Sequence, residues 1–487
     1  MSQQKQKLIE KDKKKADKWE DNNDRSIFLE FKILAQNGDP ENRYRLAGMY
    51  LKGIGVAKKP KKAFDIYFDL VNTVKHPLSY EKLGWCYYKG IGVNANFKLA
   101  VKNFKISSQK NHDSQFHLAN CFRKGFGVEK SLQKFFEWIS VATQHENVKA
   151  QITIGNLYRK GRLLKKDLFK SSQWYTRAAS KGNTYALFNL AMCFKYGYGV
   201  QKKPEKAFEM FAKIGQRGLL KGVLECGKCY YYGIGVIRNG KRAFRCFKYA
   251  WKRGSFEGLC WIGKCYMDGV SVEKDVNKGF QIIKHSATQN DHYSLFELGK
   301  CYMEGRGVKR QYKLGIEYFK KLSKLGHPES SIEIGKCNLF GRGIEKNFNM
   351  ALRWIEKVAK TENESALIYL GKIYWKGLGG CTRDLAKAIT YFETAVKIGS
   401  DKGYYQLAKM YEDLGNFNQA FKMYQNAALN GLHPAELKVA QYFEKGKGVQ
   451  KSLRLAKFYY QQALNGGVIK AEKSLQLLIQ LEEKEQF

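Results

Sequence analysis

"LGKCYMEGRGVKR", residues 298–310, sets a lysine, a cysteine and a tyrosine beside two glycines and two further bases. The set would suit a reactive thiol next to a phosphate-cradling loop, but it is not unique. "IGKCYMDGVSVEK" occupies 262–274 and "CGKCYYYGIGVIR" occupies 226–238, each 36 residues before the next. A catalytic apparatus is built once, whereas a structural brick is laid many times. The first glycine of the signal recurs at Gly53, Gly90, Gly125, Gly161, Gly197, Gly233, Gly269, Gly305, Gly341, Gly377 and Gly446. Most steps are 36 residues, with one of 37 and one of 35. The long gap after Gly377 holds one variant unit, "LAKMYEDLGNFNQAFKMYQNAALNG", which lacks the second glycine. The count is twelve units, and a fixed period of this length is the mark of a repeat array.

Each unit reads as helix A, turn, helix B. Helix A carries a small residue (Gly84, Gly227, Gly299 or Gly371, elsewhere Ala47, Ala191 or Ala440) three positions before an aromatic one (Tyr87, Tyr230, Tyr302, Tyr374, Tyr50, Phe194, Phe443); Asn338 alone breaks the aromatic column. The glycine that follows ends helix A, because a left-handed cap is cheapest without a Cβ. The second glycine is replaced by Leu163 and Ser271, so it is preferred rather than required. Helix B opens on Asn96, Ser131, Asp167, Asn239, Asp275, Asn347, Asp384 or Ser452, all good N-caps. At Lys59 and Lys203 a proline follows instead, in the favoured first helical position. The other four prolines, Pro40, Pro77, Pro328 and Pro434, fall near the starts of A helices. One hairpin cannot bury its own apolar face, but a stack of them can. Residues 26–37 read as an N-terminal capping helix, 38–466 as the array and 467–487 as a C-terminal capping helix, behind a charged segment at 1–25.

The chain has 487 residues, too many for one core. Its net charge of +41 favours anionic partners: acidic protein segments, nucleic acid or an anionic membrane surface. No apolar run is long enough to span a membrane and no secretory signal core opens the sequence, which points to a protein that is not secreted. Eleven cysteines, if free, suit a reducing compartment, so a cytoplasmic or nuclear location is expected.

The stretches "ALFNLAMCFKYGYGVQKKPEKAFEMFAKIGQRG" (186–218) and "ALIYLGKIYWKGLGGCTRDLAKAITYFETAVKIG" (366–399) resemble the Sel-one-like repeat (SLR) family, relatives of the tetratricopeptide repeats. The unit at 404–431 looks more like a plain tetratricopeptide repeat, and the family's helix-B Asp cap survives at only a few positions. The resemblance implies an all-α, right-handed superhelical solenoid of about twelve helix-turn-helix units. It also implies a non-enzymatic adaptor or scaffold with no cofactor, no metal and no small-molecule substrate.

Seven cysteines share one helix-A position: Cys86, Cys121, Cys193, Cys229, Cys265, Cys301 and Cys337. Helix axes about 10 Å apart hold such a column too far apart for disulfides, so it reads as buried filler. Cys226 and Cys229 lie in mid-helix without the second pair a zinc site needs. The glycine loops follow a helix rather than a strand and lack the third glycine of a dinucleotide fingerprint.

Two basic columns carry the functional expectation. One precedes helix B: Lys58, Lys130, Lys166, Lys202, Arg238, Lys274, Arg310, Lys346, Arg383 and Lys451, with Ala95 the exception. Stacked, these would form a positive edge stripe, one that local helix stability does not explain, since a cation at a helix start opposes the dipole. The other lies inside helix A, directly after the small residue and, in "LGKCY", before the cysteine: Lys228, Lys264, Lys300, Lys336, Lys372 and Lys409. By resemblance to tetratricopeptide repeats this position lines a concave groove, where a lysine ladder would clamp the carboxylates of an acidic protein segment. RNA or membrane binding through either column is the alternative.

Overall fold

The computed structural model describes residues 24–161 and 163–485, and every regular element among them is helical. Most of the charged segment expected at 1–25 therefore lies outside the described residues. The chain divides into two compact units, Met1–Lys166 and Asp167–Phe487. The division falls between the helices of the fourth hairpin.

The first unit opens with α1 (24–36). It continues with α2 (Pro40–Lys52), α3 (Pro60–Thr73), α4 (Pro77–Lys89), α5 (Phe97–Ser107), α6 (His112–Lys124), α7 (Leu132–Gln144) and α8 (Val148–Lys160). The second unit begins with α9 (Leu168–Ser180), α10 (Thr184–Tyr196), α11 (Pro204–Gln216), α12 (Leu220–Tyr232), α13 (Gly240–Lys252), α14 (Phe256–Asp268) and α15 (Val276–Ala287). It continues with α16 (His292–Glu304), α17 (Tyr312–Lys324), α18 (Pro328–Phe340), α19 (Phe348–Ala359), α20 (Glu364–Lys376) and α21 (Leu385–Lys397). It ends with α22 (Asp401–Asp413), α23 (Phe417–Leu429), α24 (His433–Lys445), α25 (Leu453–Asn465) and α26 (Lys470–Glu485). From α2 to α25, even numbers are A helices and odd numbers B helices.

The punctuation acts as the residue types demand. Each of the eleven signal glycines caps its A helix in the left-handed region, and its N–H bonds back into the last turn, as from Gly305 to the Cys301 carbonyl. All eight expected B-helix caps accept a hydrogen bond from a first-turn backbone N–H, for example Asp275 from Lys278 and Asn347 from Met350. A second set of caps opens the A helices: Asp39, Asn111, Asn147, Asn183, Ser255, Asp291, Asn363 and Ser400. A further bond recurs in the turns. The N–H of the B-helix cap donates to the carbonyl at the aromatic position of helix A, as from Gln311 to Tyr302, and Asn347 bonds in the same way to Asn338, which holds that position in its unit.

Packing explains the small column. A Cβ on Gly299 would lie 2.7 Å from Cε1 of Phe319, and one on Gly371 would lie 2.4 Å from Cε1 of Phe392. Both rings are fully buried on the B helix of the same hairpin. The aromatic column joins one hairpin to the next. Tyr87 meets Phe64 edge-on at 5.4 Å, Tyr230 meets Phe208 at 5.1 Å and Tyr302 meets Phe280 at 5.5 Å. Helix α1 takes the part of a missing preceding B helix, with Phe28 edge-on to Tyr50 at 5.4 Å. At the other end of the chain, α26 buries Ala471, Leu475 and Leu478 in the last apolar cluster.

The second loop glycine is preferred because it lies against the start of the preceding B helix. A Cβ on Gly127 would stand 2.1 Å from the Phe97 carbonyl oxygen, and one on Gly235 would stand 2.1 Å from that of Pro204. Where the loop residue is Ser271, the glycine has moved across the contact. Gly240 opens α13, and a Cβ there would meet Val270 Cγ1 at 2.8 Å.

Some successive A helices also touch one another: α6 with α8 in the first unit, α14 with α16 and α20 with α22 in the second.

Candidate partner-binding surface

The ladder lysines sit on α12, α14, α16, α18, α20 and α22, all in the second unit and all half-buried. The small residue before each lysine and the residue after it, a cysteine at four rungs and Ile373 or Met410 at the last two, are buried, so only the lysine of each triplet reaches the surface. The rungs are not six equivalent cations.

The first rungs are closed by the chain's own carboxylates. Glu225 takes Lys195 Nζ at 2.7 Å and Lys228 Nζ at 2.8 Å. Lys228 also meets Glu257 at 2.8 Å, so the pairs run continuously through α10, α12 and α14. Burial alone would lower the Lys228 ammonium, but Glu225 and Glu257 hold it above the ordinary lysine range. Burial would raise the Glu225 carboxyl, but Lys228 and Lys195 keep it below the usual range. Lys264 sits 3.4 Å from Glu297, donates to the Tyr293 hydroxyl at 3.1 Å and lies 4.4 Å from the Trp261 ring. Lys300 reaches Glu297 at 3.7 Å and Lys336 reaches Glu333 at 2.7 Å. The Lys195–Glu225, Lys228–Glu257 and Lys264–Glu297 pairs join neighbouring A helices, whereas the last two lie within one helix.

The last two rungs differ. Among the described residues neither Lys372 nor Lys409 has a carboxylate partner. Lys372 is held below the ordinary lysine range by burial and then by the like charges of Lys409, Lys336 and Lys376. Aromatic rings lie close to the neighbouring cations. Lys336 Nζ is 5.0 Å from the Tyr369 ring, Lys376 is 4.3 Å from Trp375 and Lys409 is 5.9 Å from Tyr405.

The edge-stripe residues lie beside the C-terminal cap of helix A, one position before the cap of helix B. A side chain on Gly305 would come within 3.4 Å of Arg310 Cβ, and Arg310 Nη2 donates to the Glu304 carbonyl at 3.3 Å. Lys130 and Lys346 pack over Gly125 and Gly341 in the same way. The negative end of the helix dipole is there, and a cation stabilises it. Lys58, Lys130 and Lys166 belong to the first unit; Lys202, Arg238, Lys274, Arg310, Lys346, Arg383 and Lys451 belong to the second. Lys166 and Lys202 are half-buried and the others exposed. Lys202 pairs with Asp401, the first residue of α22, at 2.9 Å.

The cysteine column is buried as expected. Burial pushes the thiols of Cys86, Cys121, Cys229 and Cys337 up to about 11, and those of Cys265 and Cys301 up to about 12. Such thiols stay protonated and unreactive at neutral pH. Nine of the eleven cysteines are buried, so burial alone protects them and they do not report the compartment. Among the described residues no group of His, Cys, Asp and Glu forms a metal site, and no helix is long and apolar enough to cross a membrane.

The Sel1 repeat model matches this chain twelve times, at 43–67, 77–112, 112–143, 148–183, 184–219, 222–255, 257–291, 292–327, 328–360, 364–400, 402–432 and 433–468. The chain belongs to the Sel1 repeat family. The variant hairpin is among the matches, at 402–432. Two curated relatives of this Sel1-repeat protein match over short stretches. One is a proposed ERAD-associated E3 ubiquitin-protein ligase component of Schizosaccharomyces pombe, 32% identical over 75 residues, or 15% of this chain. The other is an ERAD-associated E3 ubiquitin-protein ligase component of Candida glabrata, 34% identical over 77 residues, or 16% of this chain. The matched stretches span 10% and 9% of those proteins' own lengths. Among solved structures, a protective antigen of uropathogenic Escherichia coli with an SLR fold is 20% identical, with a TM-score of 0.47 over 93% of this chain and 90% of that one. Sel1 repeats are protein-interaction modules, and this chain is built almost entirely of them.

Proposed function

We propose that this Sel1-repeat protein is a non-enzymatic scaffold that holds an acidic segment of a protein partner along the inner, A-helix face of its second unit. The observation that carries the reading is the row of half-buried lysines on consecutive A helices, matched by the chain's own carboxylates at the early rungs and unmatched at Lys372 and Lys409. Shape and charge do the work: the repeat sets the spacing, and the cations meet carboxylates on an extended chain. The likeness to ERAD-associated ligase components covers about a tenth of those proteins and supports the scaffold role alone.

The test is capture of a partner from cell extract by the whole chain, compared with two charge-reversed variants. Lys372→Glu with Lys409→Glu should abolish capture. Lys130→Glu with Lys346→Glu, on the edge stripe, should leave it intact. The opposite pattern would move the interface to the edge stripe and overturn the reading. A nucleic-acid ligand would instead show in capture that is lost on nuclease treatment.

A further inference from the structure

The early rungs display what the late rungs lack. In three of them a glutamate stands three residues before the lysine on the same helix: Glu225 before Lys228, Glu297 before Lys300 and Glu333 before Lys336. Lys264 has Trp261 at that place and takes its carboxylate from Glu297 on the next A helix. At Lys372 and Lys409 the equivalent residues are Tyr369 and Gln406, and no neighbouring helix supplies a carboxylate among the described residues. Two acidic residues follow Lys409 within a turn on its own helix, and neither pairs with it among the described residues: Glu412 is bonded to Lys438 at 3.1 Å and to the Tyr424 hydroxyl at 2.7 Å, and Asp413 is exposed at the helix end.

We infer that Lys372, Lys376 and Lys409, with Lys336 at their margin, form the anchor subsite of this face, and that its ligand is a peptide segment carrying neighbouring Glu or Asp side chains. This rests on the scaffold reading above and names where the acidic segment is gripped. Like charges held together, with Lys372 and Lys409 half-buried, raise the energy of the free protein, and an incoming carboxylate relieves both repulsion and desolvation. The cations that form the subsite are lysines, which offer point charges rather than a bidentate fork, with Arg342 acting on Tyr369 at its border. The equivalent places on the early rungs already hold carboxylates at 2.7–3.7 Å. Rungs about 10 Å apart match roughly three residues of extended chain at ~3.3 Å each. The partner's carboxylates thus occupy the positions that the chain's own glutamates fill elsewhere. Tyr369 and Tyr405 border the site with rings that a peptide side chain can pack against.

The experiment uses the whole chain and a fluorescein-labelled, glutamate-rich peptide read by anisotropy at low salt. Gln406→Glu installs the missing carboxylate beside Lys409 without removing a cation. It should weaken peptide binding about tenfold, the loss of one charge-assisted pair. Lys372→Glu with Lys409→Glu should remove binding, with helicity by circular dichroism unchanged. In the wild type, amine acetylation followed by mass spectrometry should show Lys372 protected by the peptide. The inference is overturned if the peptide binds Gln406→Glu as tightly as the wild type. It is equally overturned if a single-stranded oligonucleotide of matched charge binds the wild type more tightly than the peptide does and loses affinity in the same variants. If the peptide fails while a natural partner still cross-links to the A helices, the anchor assignment falls and the scaffold reading stands. If the partner cross-links elsewhere, both fall.

Discussion

At Gly299 there is no room for a methyl group, because Phe319 fills the space a Cβ would need. Gly299→Ala is expected to destabilise the second unit by about 1–3 kcal/mol, the usual result of overpacking, measured by chemical denaturation. The helix preference of alanine over glycine works in the other direction, by about 1 kcal/mol, so a stabilised variant would contradict the packing account. The cysteine beside it makes a different prediction. With its thiol pushed up to about 12, Cys301 should resist a thiol-specific reagent in the native protein at mildly alkaline pH. The half-buried Cys246 and Cys381 should label first, as read by mass spectrometry of the modified peptides. Most of this scale was legible in the sequence: the glycine caps, the proline positions and the eight B-helix caps follow from residue type and spacing. The exchange of Ser271 with Gly240 was not, because the two lie 31 residues apart and only the packed hairpins bring them together.

Between helices, the ion pairs decide which lysines are available. Glu225 holds two ammonium groups in buried surroundings, and Glu225→Gln strands Lys195 and leaves Lys228 with Glu257 alone. The expected loss is about 3–5 kcal/mol, typical of breaking one side of a buried pair. The sign of the pH dependence follows. The folded pKa of Glu225 is depressed below its unfolded value, so its contribution is complete at neutral pH, above the unfolded value. It is lost as pH falls through the ordinary carboxylate range towards the lower folded value. Stability of the wild type against pH should therefore fall more steeply on the acid side than that of Glu225→Gln; parallel curves would contradict the pairing. Part of this was written in the sequence, since Glu225, Glu297 and Glu333 each precede a ladder lysine by three positions and therefore share its helix face. The cross-helix partners were not legible. Lys195 to Glu225 and Lys228 to Glu257 span 30 and 29 residues, and contact depends on how one hairpin settles on the next. The place of the edge-stripe residues beside the end of helix A was not legible for a related reason: their sequence position lies next to helix B, and the turn brings them back over the glycine cap.

On the scale of the whole molecule, the period of 36 made the repeat class readable, while the division at Lys166 and Asp167 carries no signal in the repeat pattern. Within the second unit, Lys202 and Asp401 join residues 199 positions apart. Burial raises the Asp401 carboxyl more than Lys202 lowers it, so the pair fixes position rather than adding stability. Asp401→Asn should accordingly leave the melting temperature at neutral pH unchanged or slightly raised, and a clear drop in a thermal melt would refute this. The central claim is that an acidic partner is gripped at the late rungs of the inner face. A zero-length carbodiimide cross-linker joins an amine only to a carboxylate already in contact with it, so cross-linking the intact complex and sequencing the linked peptides tests the claim directly. Links from partner Asp or Glu residues to Lys372, Lys376 or Lys409 are the predicted result. Links confined to the edge stripe, at residues such as Lys130 or Lys346, would contradict it.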